Sequence, residues 1–534
     1  VAQRIDLHEI AEHGSALIRS NRAAARSAGG ATPPPWRALL LALSFGLCGT
    51  ACAAVGQSTG GGVTGPGTAQ DACLAFNMPA TDTLFNSQKK VFAHYFAMFA
   101  QSMGNKDPTQ DYYNVNYLNP AGESSKWQQQ GGFLRQRPLG VAVNPSADWR
   151  LLSMENEVRM AIARGITGFT IDVLAVKEAT DDGSNLHTLL RAAQAVDPRF
   201  KIVVMPDIAQ FKTDADSVTK IIASVASSPA AYRLADGRLV VTAFNAGANS
   251  PEWWSAVFNT LNGQGVKVAF VPTFLGWRGN AAKFAGISYG FGDWGTAIPA
   301  SARNMQGDPA AAHAMGGKIY MMPVDPQQYR PKGPIYWEAG NSEAFRDAWT
   351  SAISGGADWV QLVTWSDFSE SSEVEPYTDA TLARNIGTGY YDLNGYYAAW
   401  FLTGQAPAIT HDVLYYFYRR EPTTAAAPAQ ALPNRIINST AEDSIEVVAF
   451  LTAPGTLRIS VGGKDSGKNV PAGLSTFKIP TTPGTPVFSL LRGGSSVLSF
   501  QGGIQIYGNG GLPSGLSDLT YWSGSGGVSG QCSL

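Results

Sequence analysis

Eight short runs rich in β-branched and aromatic residues, separated by longer stretches of helical character, constrain this chain more than any other feature. They are VFAHYFAMF (91–99), GFTIDV (168–173), KIVVMPD (201–207), RLVVTAF (238–244), KVAFVPTF (267–274), GISYGF (286–291), KIYMMPV (318–324) and WVQLVTWSD (359–367). Between them lie helix-like stretches such as MENEVRMAIARG, SNLHTLLRAAQAV, DADSVTKIIASVA, SPEWWSAVFNTLN and EAFRDAWTSAISGG, with a last helix near LNGYYAAWFLTG. Parallel strands need long crossovers, which helices supply, so this alternation predicts a parallel sheet in an α/β fold. Eight strand–helix pairs predict a closed (β/α)8 TIM barrel rather than an open doubly wound sheet.

The chain has 534 residues, more than a barrel of roughly 250 to 350 residues requires. After Pro422, TTAAAPAQALP reads as an Ala/Pro linker (422–433). Short alternating segments follow, punctuated by Gly and Pro, and predict a C-terminal antiparallel β-sandwich over 434–534, leaving 73–421 for the barrel. The segment GGKDSGKN (462–469) falls short of a phosphate-binding loop, because no Ser or Thr follows Lys468 and no helix does, and is expected to be a hairpin turn.

The first 54 residues read as an address. A polar, Arg-rich stretch precedes ALLLALSFGLCGTACAA, an apolar run of signal-peptide length ending in small residues. Export is expected, to the periplasm, the outer membrane or the medium. Cys52, after Gly49, Thr50 and Ala51, is a candidate lipidated Cys of a bacterial lipoprotein signal, and the Gly-rich run over 55–72 has the composition of a tether. A lipid anchor is the one form of membrane attachment expected. Of the four Cys, only Cys73 and Cys532 lie beyond it, and in an exported chain they form a candidate disulfide.

Composition narrows the partners. With 39 basic and 41 acidic side chains the net charge is −2, so no overall field would draw nucleic acid. The 13 Trp and 19 Tyr suit flat, uncharged, hydroxyl-rich ligands, although many such rings belong to the core. None of the six His (His8, His13, His94, His187, His313, His411) is paired at metal-ligand spacing, so no metal or cofactor is expected. A monomer acting on a polysaccharide is the expected state.

In a parallel barrel the chemistry sits where strands end. Those ends carry Asp172, Asp207, Asp293 with Trp294, Asp325, and finally Trp365 and Asp367 with Glu370 just beyond. A lone carboxylate there is often a helix N-cap, a reading that stays open for Asp172, Asp207 and Asp325. The segment TWSDFSES is more pointed, because two carboxyls three residues apart on a turn can face one cleft with their ionisation pushed apart. Glycoside hydrolysis needs such a pair, one acid to protonate the leaving oxygen and one base or nucleophile. His94 in the first strand is a candidate for a sugar hydroxyl or a core histidine; Trp277, Trp294, Trp337, Trp365 and Asn245 complete the candidate substrate contacts. About fifty residues follow the first strand, including QDYYNVNY and SSKWQQQGGF, and either wall the cleft or form a tolerated surface insertion.

These segments, taken in order, resemble glycoside hydrolase family 71, the α-1,3-glucanases or mutanases, here as a bacterial member. VFAHYFAMF, GITGFTIDVL, KIVVMPDIAQF, RLVVTAFNAG, VAFVPTF and YGFGDWGTAIP resemble its successive strand segments, and VTWSDFSES is similar to its Trp-Asn-Asp-Tyr-Gly-Glu-Ser. The resemblance implies an inverting hydrolase of α-1,3-glucan, with the family's catalytic pair on Asp367 and Glu370 and a supporting acid on Asp207. Glu370 is taken as the acid and Asp367 as the base. Departures surround the pair: Ser366 stands where the family usually has Asn, Asp172 where it often has Asn, and Asp325 to Gln328 replace a Ser-Pro-Trp-Phe-like run. They leave open another α-linked glucan, an α-mannan or an exopolysaccharide, and a non-catalytic carbohydrate-binding lipoprotein.

Overall fold

The computed structural model describes residues 73–382, 386–528 and 530–532. The leader, the Gly-rich tether and Cys52 lie outside the described residues. Residues from Ala72 onward form one compact unit.

Its centre is a parallel sheet of nine strands: β1 (Lys90–Tyr95), β2 (Gly168–Val173), β3 (Lys201–Pro206), β4 (Leu239–Val241), β5 (Val268–Phe270), β6 (Thr273–Phe274), β7 (Gly290–Asp293), β8 (Ile319–Val324) and β9 (Trp359–Leu362). Their order is β5-β4-β3-β2-β1-β9-β8-β7-β6. The two end strands are halves of a single run, parted only by Val271 and Pro272. Val271 N–H donates to Val241 on one side, while Phe270 and Pro272 carbonyls accept from Tyr289 and Gly292 on the other. The sheet therefore curls round into a TIM-like barrel, and the fifth expected strand counts twice because Pro272 has no N–H to give the ladder.

The expected helices are present. Trp149–Ala163, Asn185–Val196, Ala215–Val225, Pro251–Gly263, Glu343–Gly355 and Gly389–Thr403 follow the strands. Three of them start on capping side chains, where Ser184, Asp214 and Ser250 accept from the amides of His187, Ser217 and Trp253. Four expected boundaries move: the first strand stops at Tyr95 rather than at Phe99, and the fourth at Val241 rather than at Phe244. The strand read at 286–291 runs instead over Gly290–Asp293, and the last strand stops at Leu362 rather than at Asp367. Asp367 thus stands on the loop beyond β9.

Two antiparallel sheets follow. One has the order Gly473–Pro480, Ser444–Leu451, Val413–Tyr418, Trp522–Gly527, Gly530–Gln531; the other Lys464–Val470, Gly455–Val461, Val487–Arg492, Ser495–Gln501. Tyr416 of the first stacks on Phe488 of the second at 5.0 Å. Gly462 and Gly463, both at positive φ, make the two-residue turn between Val461 and Lys464, and the rest of GGKDSGKN continues as strand. The Ala/Pro run lies after the first strand of this region and is tied down, Ala426, Ala429 and Ala431 donating to Asn509, Gly515 and Gln129. Cys73 and Cys532 form a disulfide with Cα atoms 5.6 Å apart.

Candidate active site

Beyond β9 the chain leaves the sheet but keeps its register for a few residues. Val363 N–H donates to Val324 of β8 and Trp365 N–H to His94 of β1. It then closes a loop on itself: Thr364 N–H donates to Ser372, Val374 to Thr364 and Glu375 to Trp365, while Asp367 N–H is held by Thr364 Oγ1 at 2.7 Å. Ser371, at φ 49°, takes the left-handed turn this closure requires. Asp367 and Glu370 sit on this loop, both buried.

The two carboxyls are treated differently. Asp367 Oδ1 accepts from the amide and hydroxyl of Ser369, at 2.9 and 2.8 Å. Burial, and then the charge of Glu370, push Asp367 up to about 6, against the pull of Lys332, Ser369 and Arg330. Glu370 Oε2 accepts from Arg330 Nη2 at 2.8 Å and from Gln328 Nε2. Both donors come from a hairpin after β8, Gln328–Arg330 against Ile335–Trp337. Residues 328 and 330 share one face of the strand, so both reach the same oxygen. Tyr329 N–H between them donates to the Glu370 carbonyl at 2.8 Å.

Four more carboxyls stand at neighbouring strand ends. Asp172 is buried, its Oδ1 has no hydrogen-bond partner, and burial followed by the charges of Asp207 and Asp367 pushes it well above the usual carboxylate range. Asp325 is similar, with Oδ2 unpartnered and the charges of Asp293 and Glu370 adding to burial. Asp207 caps the short helix Ile208–Phe211, accepting from Ala209 N–H at 2.7 Å; burial still pushes it up to about 6. The cap alternative therefore describes Asp207, whereas neither Asp172 nor Asp325 caps a helix. Asp293 is spent on the backbone, accepting from Gly276, Trp277 and Trp294.

The aromatic candidates divide. Trp294, half-buried, lies edge-on between His94 at 4.9 Å and Phe244 at 4.8 Å. His94 is buried with Thr170 Oγ1 3.3 Å from Nδ1, and burial pushes it down to about 3, which keeps the imidazole neutral. Asn245, next to Phe244, is half-buried at φ 51°. Trp337 lies under the Arg330 guanidinium at 5.0 Å and so supports the Glu370 ion pair.

Trp365 and Trp277 are corrections. Alternation turns Trp365 away from the mouth into the layer between sheet and helices, 0 % exposed against Phe169 and Tyr391. Trp277 is also interior, its indole N–H donating to Asp308 at 2.9 Å and its ring packed on Tyr320. The long first loop does approach the acids, Phe99 meeting Phe368 at 6.2 Å. Gln328, Arg330 and Lys332 are the site residues that the sequence reading missed as functional. Their signal was the PKGP turn between two short aromatic runs, QYR and IYW, a hairpin pattern that begins where the stretch departing from the family ends.

The family model for glycosyl hydrolase family 71 matches residues 142–531. A glucan endo-1,3-alpha-glucosidase of Schizosaccharomyces pombe is 26% identical over 369 residues, 65% of this chain and 85% of that protein. A mutanase of Penicillium rubens is 26% identical over 380 residues, 67% of this chain and 82% of its own length. Among solved structures, a GH99 endo-alpha-mannosidase from Bacteroides thetaiotaomicron aligns with a TM-score of 0.43 at 15% identity, covering 58% of this chain and 97% of that one. With the family model spanning most of the barrel and the region after it, the chain belongs to glycosyl hydrolase family 71 and is a glycoside hydrolase.

Proposed function

We propose that this hydrolase cleaves α-1,3-glucosidic bonds in an α-glucan, with inversion, through Asp367 and Glu370. The observation that carries the reading is the unequal pairing of two buried carboxyls on one loop. Glu370 is matched by a guanidinium and an amide at a single oxygen, which suits a group that must act as a carboxylate. Among the described residues only Ser369 donates to the Asp367 carboxyl, which is pushed up to about 6, as suits a group that must carry a proton. This reverses the division of labour expected from the sequence. Glu370 would take a proton from the attacking water while Asp367 gives one to the leaving glycosidic oxygen; the C–O bond to the leaving sugar breaks as the water oxygen bonds the anomeric carbon from the opposite face.

The names of the relatives support the linkage. The barrel is read as a (β/α)8 TIM barrel and the two C-terminal sheets as a β-sandwich. The signal-like leader, with Cys52 as lipidation candidate, would deliver the enzyme to an extracellular polysaccharide. Among the described residues no helix is long and apolar enough to cross a membrane.

The test is release of reducing sugar from insoluble α-1,3-glucan by the wild type, Asp367→Asn and Glu370→Gln, with other α-glucans and an α-mannan as comparison and NMR of the first-formed anomer. Each variant is expected to lose about 100-fold or more, and the first product to be the β-anomer. Turnover only on another glycan would overturn the substrate; wild-type turnover in both variants would overturn the site.

A further inference from the structure

We infer that Arg330 and Lys332 are positioning residues, one for each carboxyl, and that the hairpin carrying them sets the ionisation of the Asp367–Glu370 pair. The inference rests on the reading of that pair as the acid and base. Arg330 touches Glu370 directly at 2.8 Å. Lys332, two residues on, acts through one intermediate: its Nζ donates to Ser369 Oγ at 3.3 Å, and that hydroxyl donates to Asp367 Oδ1 at 2.8 Å. One loop thus meets two cations from one hairpin, each directed to a different acid.

The hairpin is fixed from several sides. Arg330 rests on Trp337. Lys332 lies over the Phe133 ring at 5.6 Å, and Phe133 is stacked on Trp127 and packed on Phe99 of the long first loop. Ile335 and Tyr336 pair with Arg435 and Ile436. Neither cation is free to swing away as an exposed side chain would, so each retains a charge–charge effect that water would otherwise screen.

The charges facing the pair come from four elements. Asp367 is faced by Glu370 and Glu373 of its own loop, by Asp172 of β2, and by Lys332 and Arg330 of the hairpin. Glu370 is faced by Asp367, by Asp325 beyond β8, and by the same two cations. Carboxyls outnumber cations, so removing either cation leaves its acid among like charges and raises its proton affinity. Burial pushes the Lys332 ammonium down, while Glu370 and Asp367 pull it back up, as expected of a lysine held by acids it serves.

The test is the pH dependence of kcat/KM on a soluble α-1,3-linked oligosaccharide for the wild type, Arg330→Gln, Arg330→Lys and Lys332→Met. Loss of Arg330 breaks the direct contact with the base and raises its proton affinity most, so the acidic limb should move up by about one pH unit and the alkaline limb by less. Loss of Lys332 removes the charge relayed to the acid through Ser369, so the alkaline limb should move up by more than it does without Arg330. Arg330→Lys should restore most of the acidic limb. An activity-free readout runs alongside: Lys332→Met should steepen the fall of Tm with rising pH, and adding Asp367→Asn should remove that steepening. Profiles that superimpose on the wild type, or two variants that shift the two limbs in the same proportion, would overturn the inference while leaving glucan hydrolysis intact. Absence of wild-type turnover would sink the functional reading alone, and the Tm profiles would still decide whether Lys332 serves Asp367.

Discussion

The side-chain amide of Gln327 is bonded to the backbone of Tyr521 at both ends: Oε1 accepts from the Tyr521 N–H at 2.6 Å and Nε2 donates to its carbonyl at 3.1 Å. Gln327 is buried and immediately precedes Gln328, which reaches Glu370. The Tyr521 hydroxyl continues the contact by donating to Glu338 Oε1 at 2.6 Å, and Arg419 closes it, paired with Glu338 at 3.0 Å and lying over the Tyr521 ring at 4.0 Å. The C-terminal segment therefore braces the hairpin that holds the acids. It is part of the frame of the site rather than a detachable module.

A chain ended at Glu421 should for this reason fail to fold. Val413–Tyr418, buried along its whole length, would lose both neighbours, Ser444–Leu451 and Trp522–Gly527. Insoluble or protease-sensitive product is the expected outcome of expression, and a soluble, active truncation would refute it. The subtler variant, Gln327→Ala, leaves the buried N–H of Tyr521 unpaired, at a cost of about 1–3 kcal/mol, while the Tyr521 carbonyl still accepts from the Tyr377 hydroxyl at 3.0 Å. Calorimetry should show a lowered Tm, and kinetics a larger loss in kcat than in KM, because the displaced hairpin disturbs the acids more than the sugar-facing walls.

How far the sequence foretold this molecule depends on the range of the forces involved. Strands such as Gly168–Val173 and helices such as Asn185–Val196, with its Ser184 cap, follow from local pattern and were legible. That Asp367 and Glu370 stand close together was legible because both lie in one short segment. Trp365 was misread, since an aromatic beside an acid does not say to which face of the sheet it turns, and only the packing of Phe169 and Tyr391 does. Arg330 was missed because its partner is forty residues away and joined to it by tertiary structure alone.

The proposed roles of the two acids can be separated by leaving-group chemistry. Fluoride departs without a proton, so Asp367→Ala should hydrolyse an activated glycosyl fluoride at near the wild-type rate while losing about 100-fold or more on glucan. Glu370→Ala should be slow on both, and azide, which needs no base to deprotonate it, should restore turnover of the fluoride. Product analysis would detect the azide adduct. The opposite pattern, with azide rescuing the Asp367 variant, would return the assignment to the order expected from the sequence.

Trp294 and His94 offer a test of the mouth. His94 is neutral throughout the working range, burial having pushed it down to about 3, so His94→Asn should leave both limbs of the pH profile where they are. Trp294→Ala removes a half-exposed ring braced by His94 and Phe244. Stacking of this kind is worth about 0.5–1.5 kcal/mol, so a rise in KM of up to about tenfold with kcat nearly unchanged is expected. A fall in kcat with unaltered KM would place Trp294 in the chemistry instead.

Glu373 and Glu375 of the loop that carries Asp367, with Glu157 of the helix Trp149–Ala163, form a second group of acids whose titration should govern stability. Glu157, Glu373 and Glu375 are all buried. Gln101 serves two of them, its side chain donating to Glu375 at 2.9 Å and its N–H to Glu157 at 3.4 Å, while both oxygens of Glu373 are without a partner. Burial pushes Glu157 from its ordinary 4.5 up to about 7, and holds Glu373 and Glu375 well above the usual range. Between those two pH values the folded chain binds protons that the unfolded chain has already lost. Stability must then fall as pH rises through this window. Glu338 and Asp412, held below their ordinary values by Arg419 and Arg492, act in the opposite sense, but only at lower pH. Tm measured from pH 5 to pH 7 should therefore decline, and Glu157→Gln with Glu375→Gln, which cannot ionise, should flatten the slope. A wild-type Tm that is level or rises across that interval, or a double variant that keeps the full decline, would show that these carboxyls are not what titrates.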